Sequence, residues 1–89
     1  MTYRLDDKVE WQNGRTASYR HVGTVVCVVP AGAMPYEVAW GDVPDGVRLV
    51  YDTAVPRNHE SYIVYDERTK RLYWPRVGGL RQVEKWKIN

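Results

Sequence analysis

The chain has 89 residues, the length of a single domain, and its apolar fraction of 44% is too high for a disordered protein. Seven tyrosines and four tryptophans without a phenylalanine suit strands and half-buried faces. The formal net charge is only +2, and a single cysteine excludes an internal disulfide and a cysteine-based metal site within one chain.

Residues 1–7 contain no apolar stretch, and no apolar run approaches the roughly 20 residues of a membrane span. We therefore predict a cytoplasmic protein without membrane contact. Its charge is unevenly distributed. Residues 1–67 hold six Lys or Arg and ten Asp or Glu, whereas residues 68–89 hold seven Lys or Arg and one Glu. A basic C-terminal third can attract nucleic acid or an acidic partner, or can be a solvated surface.

Glycine and proline divide the chain into segments of strand length, and no window shows helical periodicity. In the first half we predict strands at 8–11, 22–29 and 36–40. The second of these is rich in β-branched residues and stops at Pro30, while the third alternates polar and apolar side chains. In the second half, the predicted strands are 47–51, 61–66, 71–74 and 81–86, with one tight helical turn at 78–80.

Short strands joined by short turns predict a small all-β barrel of five to six strands. We interpret residues 30–60, which contain four of the five prolines, as an inserted hairpin between barrel pieces at about 5–29 and 61–86. The alternative interpretation places 36–51 in the barrel itself. Under the insertion hypothesis, a chain that lacks 31–58 would still fold.

Two stretches resemble SH3-like barrels of the KOW and Tudor type. Residues 21–29, with Gly23 followed by valines, look like the first long strand of those barrels, in which glycine permits a bend. Residues 62–65, 71–77 and 80–81 look like their closing hairpin and final turn. The resemblance covers roughly half of the chain and implies the fold, but it does not imply one function, because this fold hosts many.

Other stretches resemble small proteins carried by phages, plasmids and other mobile elements: Pro30-Ala31-Gly32, His59-Glu60-Ser61-Tyr62 and Leu72-Tyr73-Trp74-Pro75-Arg76-Val77. This resemblance implies gene mobility and a protein that acts on host machinery. One enzyme family has the same architecture, the plasmid-borne type II dihydrofolate reductases, whose closing strand carries Val-Gln-Ile-Tyr before a proline. Here Leu72 stands at the glutamine position and Trp74 at the tyrosine position. The chain therefore lacks the motif that an oligomeric enzyme of this kind would need.

The candidates for catalysis are few. His59 with Glu60 or Asp66 could transfer protons or bind a metal, but a metal site needs three or more clustered ligands. We therefore predict no catalytic residue, no metal and no cofactor, and we expect no catalytic role for His21. Cys27 lies in the most apolar strand and is predicted to be buried and unreactive.

Four residues of the closing hairpin combine aromatic and basic side chains and are the predicted binding residues: Tyr65, Arg71, Tyr73 and Arg76. If Leu72 and Trp74 fill the core, strand alternation places Arg71 and Tyr73 on the outside. These residue types dominate protein interfaces and also suit single-stranded nucleic acid. We expect a non-catalytic module that binds a macromolecule, with a protein as the favoured partner and nucleic acid, bound by the basic C-terminal third, as the alternative.

Overall fold

The computed structural model describes residues 2–12, 20–47, 49–50 and 56–83. These residues form six strands, β1 (Lys8–Gln12), β2 (Arg20–Val29), β3 (Leu49–Val50), β4 (Ser61–Asp66), β5 (Arg71–Tyr73) and β6 (Arg81–Gln82), and two 3-10 turns, Pro35–Glu37 and Val77–Gly79. Within them there is no α-helix, which confirms the all-β prediction, and no helix is long and apolar enough to cross a membrane.

The six strands form one sheet in the order β3-β5-β4-β2-β1-β6. The pairs are antiparallel except for β3, which pairs in parallel with β5. β1 therefore pairs with both β2 and β6, the last of the described strands. The 3-10 turn at Val77–Gly79 leads directly into β6, where the sequence predicts a tight turn at 78–80.

The strand predicted at 36–40 is wrong. Pro35 begins a 3-10 turn instead, since its fixed φ and missing N–H suit a first helical position. The Glu37 side chain accepts a hydrogen bond from the backbone N–H of Met34 at 2.7 Å, and this local turn chemistry overrides the alternation. Of the strand predicted at 47–51, only Leu49–Val50 is a strand, and residue 51 lies outside the described residues. The predicted last segment forms a strand at Arg81–Gln82, and 84–86 also lie outside the description.

Apolar residues pack against both faces of the sheet. The inner cluster consists of Tyr3, Val9, Trp11, Val25, Tyr62, Val64 and Leu80. The outer cluster consists of Val26, Cys27, Val29, Met34, Ile63, Leu72 and Trp74. Five of the six β4 residues are buried, because β4 lies between the two clusters. Burying an aliphatic or aromatic side chain stabilises a fold by about 1.5–3 kcal/mol, so both clusters contribute substantially.

The segment between β2 and β3 covers the outer cluster. Its partly buried apolar side chains pack there: Ala33, Val38, Trp40, Val43 and Val47. Two hydrogen bonds fix it to β2, from Gly41 N–H to Val26 O at 2.6 Å and from the Cys27 thiol to Ala39 O at 3.5 Å. That 30–60 is an insertion stays a prediction. The segment between β2 and β3 nevertheless packs on the outer cluster and shields it from solvent.

This packing revises the expected result for a chain without 31–58. Removing the segment uncovers Cys27, Ile63 and Leu72, so we expect the shortened chain to lose cooperative unfolding. Thermal unfolding and binding of an apolar dye would measure this. A sharp transition without dye binding would show that the segments 5–29 and 61–86 are sufficient to fold.

Gly23 lies where β2 and β4 approach closely. A Cβ atom at this position would lie 2.4 Å from the Tyr65 carbonyl oxygen and 2.6 Å from Val64 Cγ1. The β2–β4 register shifts further along, between Val25 and Cys27. The glycine is therefore required by close backbone approach, while the irregularity that bends the strand lies beyond it.

Cys27 is fully buried, as the sequence predicts, and burial raises the pKa of its thiol from 9.0 to about 11. A raised thiol pKa contributes stability below pH 9 that is lost as the pH rises to about 11, because the unfolded chain releases the proton first. The loss attributable to Cys27 is about 2–3 kcal/mol. We expect the free energy of unfolding to fall more steeply across this range in the wild type than in Cys27→Ala. Parallel pH profiles would contradict the assignment.

Candidate functional site

The four predicted binding residues do not form one surface. In the β4–β5 register, Tyr65 lies opposite Leu72 and Tyr73 lies opposite Val64. Directly opposed residues share a face, so the two tyrosines lie on opposite faces of the sheet. Tyr65 packs against the outer cluster and Tyr73 against the inner cluster, each half-buried.

The interpretation that Leu72 and Trp74 face the core while Tyr73 faces solvent is wrong in its second part. Strand alternation predicts which side chains are exposed only when one face of the strand is buried and the other faces solvent. Here Leu72 fills the outer cluster, and Tyr73 packs on the inner one. Arg71 and Arg76 are exposed, as predicted, but Arg71 is the first residue of β5 and Arg76 lies three residues after its last one. Of the two, only Arg71 adjoins the β4–β5 turn.

Arg76 belongs to a separate structural feature. It follows Trp74 and Pro75, whose carbonyl oxygens each accept a hydrogen bond from the Arg57 guanidinium at 2.7 Å. The Arg57 guanidinium also lies 4.2 Å from the centre of the Trp74 ring. These contacts position the chain as it leaves β5.

A buried ionisable pair lies beneath the β4–β5 turn. His21 Nδ1 and Asp66 Oδ2 are 2.7 Å apart, and their side chains are only 5% and 1% exposed. The geometry is that of a hydrogen bond from the imidazole N–H to the carboxylate. The His21 ring is stacked on Trp11 with 5.1 Å between centres and also contacts Tyr73 at 5.0 Å.

Sequence reasoning missed this pair. The two residues are 45 positions apart, and the sequence directs attention to His59 as the partner of Asp66. His59 is exposed, and its Nδ1 lies 2.9 Å from the carbonyl oxygen of Glu60. The strand register carries the missing signal: Thr24 opposes Tyr65, so His21 and Asp66 are diagonal neighbours on the inner face.

Asp66 fixes the backbone of the turn. Its second carboxylate oxygen, Oδ1, accepts hydrogen bonds from the N–H groups of Arg68 at 2.9 Å and Thr69 at 3.3 Å. Its carbonyl accepts from Lys70 N–H at 2.7 Å. Lys70 has a φ of 58°, a left-handed conformation that costs a residue other than glycine about 1–2 kcal/mol. The turn therefore adopts a conformation that the buried carboxylate must stabilise.

The turn presents cations. Arg68, Lys70 and Arg71 are all exposed, while Glu67 is the exposed acid beside them. The Tyr73 hydroxyl lies 3.3 Å from Thr69 Oγ1, which joins a half-buried aromatic ring to the same turn. We call this arrangement of Arg68, Lys70, Arg71 and the edge of Tyr73 the basic turn. Because its backbone is fixed in advance, little ordering entropy is lost when a partner binds.

The buried His21–Asp66 pair can position the turn above it, but it cannot act as an acid or base on a substrate. A general base must reach the proton that it removes, and the burial of His21 and Asp66 denies a substrate that access. The Trp11 indole N–H is also buried and lacks a hydrogen-bond partner among the described residues. Within the described ranges, no three His, Cys, Asp or Glu side chains lie together as a metal site requires.

Comparisons with known proteins add no family to this description. Scans of protein-family models, of curated proteins and of solved structures each find no match to the chain.

Proposed function

We propose that this chain is a non-catalytic binding module that docks an acidic surface of a partner protein on the basic turn. The observation that carries the proposal is the buried His21–Asp66 hydrogen bond, because it ties a turn of three exposed cations to the inner cluster. Charged groups on a fixed backbone select a partner of opposite charge and accelerate its association.

The surroundings of the turn favour a protein over a single nucleic-acid strand. Bases stack on the faces of exposed aromatic rings. The Tyr73 ring instead packs against Trp11 and His21, which leaves only part of the ring for contact with a partner. A half-buried tyrosine beside arginine is the composition of a protein interface. The resemblance to proteins of mobile elements makes a host protein the expected class of partner.

The SH3-like barrel is part of the same proposal. It is supported by β1, which pairs with both β2 and β6, and by the 3-10 turn before the last strand. Tyr3 adds a contact across the inner cluster: its N–H donates to the Tyr62 hydroxyl at 3.2 Å, and its own hydroxyl donates to Leu80 O at 3.1 Å. This linkage is what a closed sheet would need between β4 and the segment that precedes β6.

Charge reversal at the turn tests the proposal. The probe is a fluorescein-labelled peptide of about ten glutamates, with affinity measured by fluorescence anisotropy at low salt. We expect the double variant Lys70→Glu with Arg71→Glu to bind about tenfold more weakly than the wild type. The control is Arg4→Glu, which makes the same type of change at an exposed arginine outside the turn. Equal affinity of the wild type and the double variant would contradict the proposal.

A further inference from the structure

The outer face of the sheet has two unlike halves. The half formed by the end of β2, β4 and β5 lies under the segment that covers the outer cluster. The half formed by the start of β2, β1 and β6 bears polar side chains around Val22, which is 46% exposed. Strand register places seven residues on this half: Lys8 opposes Thr24, Glu10 opposes both Val22 and Arg81, and Gln12 opposes Arg20. We call this surface the open face.

Its charged side chains are held in position by one another. Glu10 lies between two arginines, with Oε1 at 3.2 Å from Arg20 Nη1 and Oε2 at 3.0 Å from Arg81 Nη2. Each contact uses one terminal nitrogen of a guanidinium that has five N–H donors, so Glu10 orients both arginines without exhausting their donors. Lys8 Nζ is positioned by Thr24 Oγ1 at 2.9 Å. Three cations and one acid give the face a net positive charge.

We propose that the open face binds the phosphate backbone of nucleic acid. Arginine is favoured for phosphate because its planar fork makes paired hydrogen bonds, and the two arginines here are 53% and 70% exposed. They lie on strands separated only by β1, about 10 Å apart at the strand spacing of a sheet. Among the described residues of the open face none is aromatic, and its exposed large apolar side chain is Val22. That composition suits backbone contact without base reading and lacks the aromatic centre of a protein interface.

Binding of DNA to the open face does not depend on the basic turn, and one titration distinguishes the two surfaces. The probe is a fluorescein-labelled DNA duplex of about 20 base pairs, titrated with the full chain between about 50 and 200 mM salt. Three phosphate contacts predict a slope of log affinity against log salt of about −2.7. Arg20→Ala with Arg81→Ala should weaken binding about tenfold or more at low salt and reduce the magnitude of the slope by about two. Lys70→Glu with Arg71→Glu should alter duplex binding far less.

A second variant guards against an effect of misfolding. Glu10→Gln removes the one acid of the open face and releases both arginines, so we expect it to bind the duplex about threefold more tightly. Unfolding cannot produce that gain. The matched control is Arg4→Glu, whose arginine belongs neither to the open face nor to the basic turn.

Three results would overturn the inference: no duplex binding by the wild type at low salt, an unchanged affinity in the Arg20–Arg81 double variant, or weaker binding by Glu10→Gln. If the double variant instead lost affinity for the glutamate peptide and kept it for the duplex, the open face would be a protein interface and not a nucleic-acid site.

Discussion

Asp66→Ala is expected to lower the free energy of unfolding by about 3–5 kcal/mol, because removing this buried acceptor leaves several donors unsatisfied, at about 1–3 kcal/mol for each buried donor. The substitution leaves the buried His21 imidazole without its carboxylate and removes the acceptor for the N–H groups of Arg68 and Thr69. Urea unfolding, followed by tryptophan fluorescence, would measure the change. The same variant should speed hydrogen exchange at both of these turn amides.

Asp66→Asn is the matched control. It keeps the shape of the side chain and one carbonyl oxygen, so we expect it to retain more than half of the stability that Asp66→Ala loses. A loss below about 1 kcal/mol in Asp66→Ala would mean that the pair does not hold the turn.

Gly23→Ala is the second large effect. The new Cβ would lie far inside contact distance of the Tyr65 carbonyl oxygen, at 2.4 Å, and this neighbour is backbone that cannot rotate away. We expect a loss of about 2–4 kcal/mol, at or above the usual cost of overpacking, because the β2–β4 pairing must separate. For a domain of this size, that corresponds to a fall in Tm of more than about 10 °C.

The chain offers a control for the glycine effect itself. A Cβ at Gly78 would meet no atom within 4 Å, and the φ of Gly78 is not in the left-handed region. Gly78→Ala should therefore be neutral or slightly stabilising, since it reduces the entropy of the unfolded chain. Equal losses at Gly23 and Gly78 would show that close approach to β4 is not the reason for Gly23.

The sequence predicts the strands best where local preference and tertiary packing agree. The valine-rich β2 and the apolar β4 are such segments, and both were expected within two residues of their observed bounds. The segment 36–40 alternates like a strand, but Pro35 and the Glu37 side chain commit it to a turn that covers the outer cluster. Alternation of polar and apolar residues indicates that successive side chains have different surroundings. It does not identify the element that packs on each side.

The site was harder to predict for the same reason. Tyr65 in β4 and Tyr73 in β5 are both partly buried, on different faces, because apolar clusters pack on both faces of these two strands. The pairing of His21 with Asp66 depends on the register of two strands that are distant in sequence, and no local pattern encodes that register. Composition did identify the excess of cations after residue 67, which is where the basic turn lies.

The affinity of Asp66→Ala for the glutamate peptide tests the central claim most directly. An effect of charge and an effect of turn positioning would change this affinity in opposite directions. The substitution keeps every cation of the basic turn and removes a negative charge next to it, so charge alone predicts tighter binding. The proposed role of Asp66 in fixing the turn predicts binding about fivefold or more weaker, referred to the folded fraction measured in the same samples. Affinity equal to or higher than that of the wild type would contradict the claim that the buried His21–Asp66 pair positions the binding site.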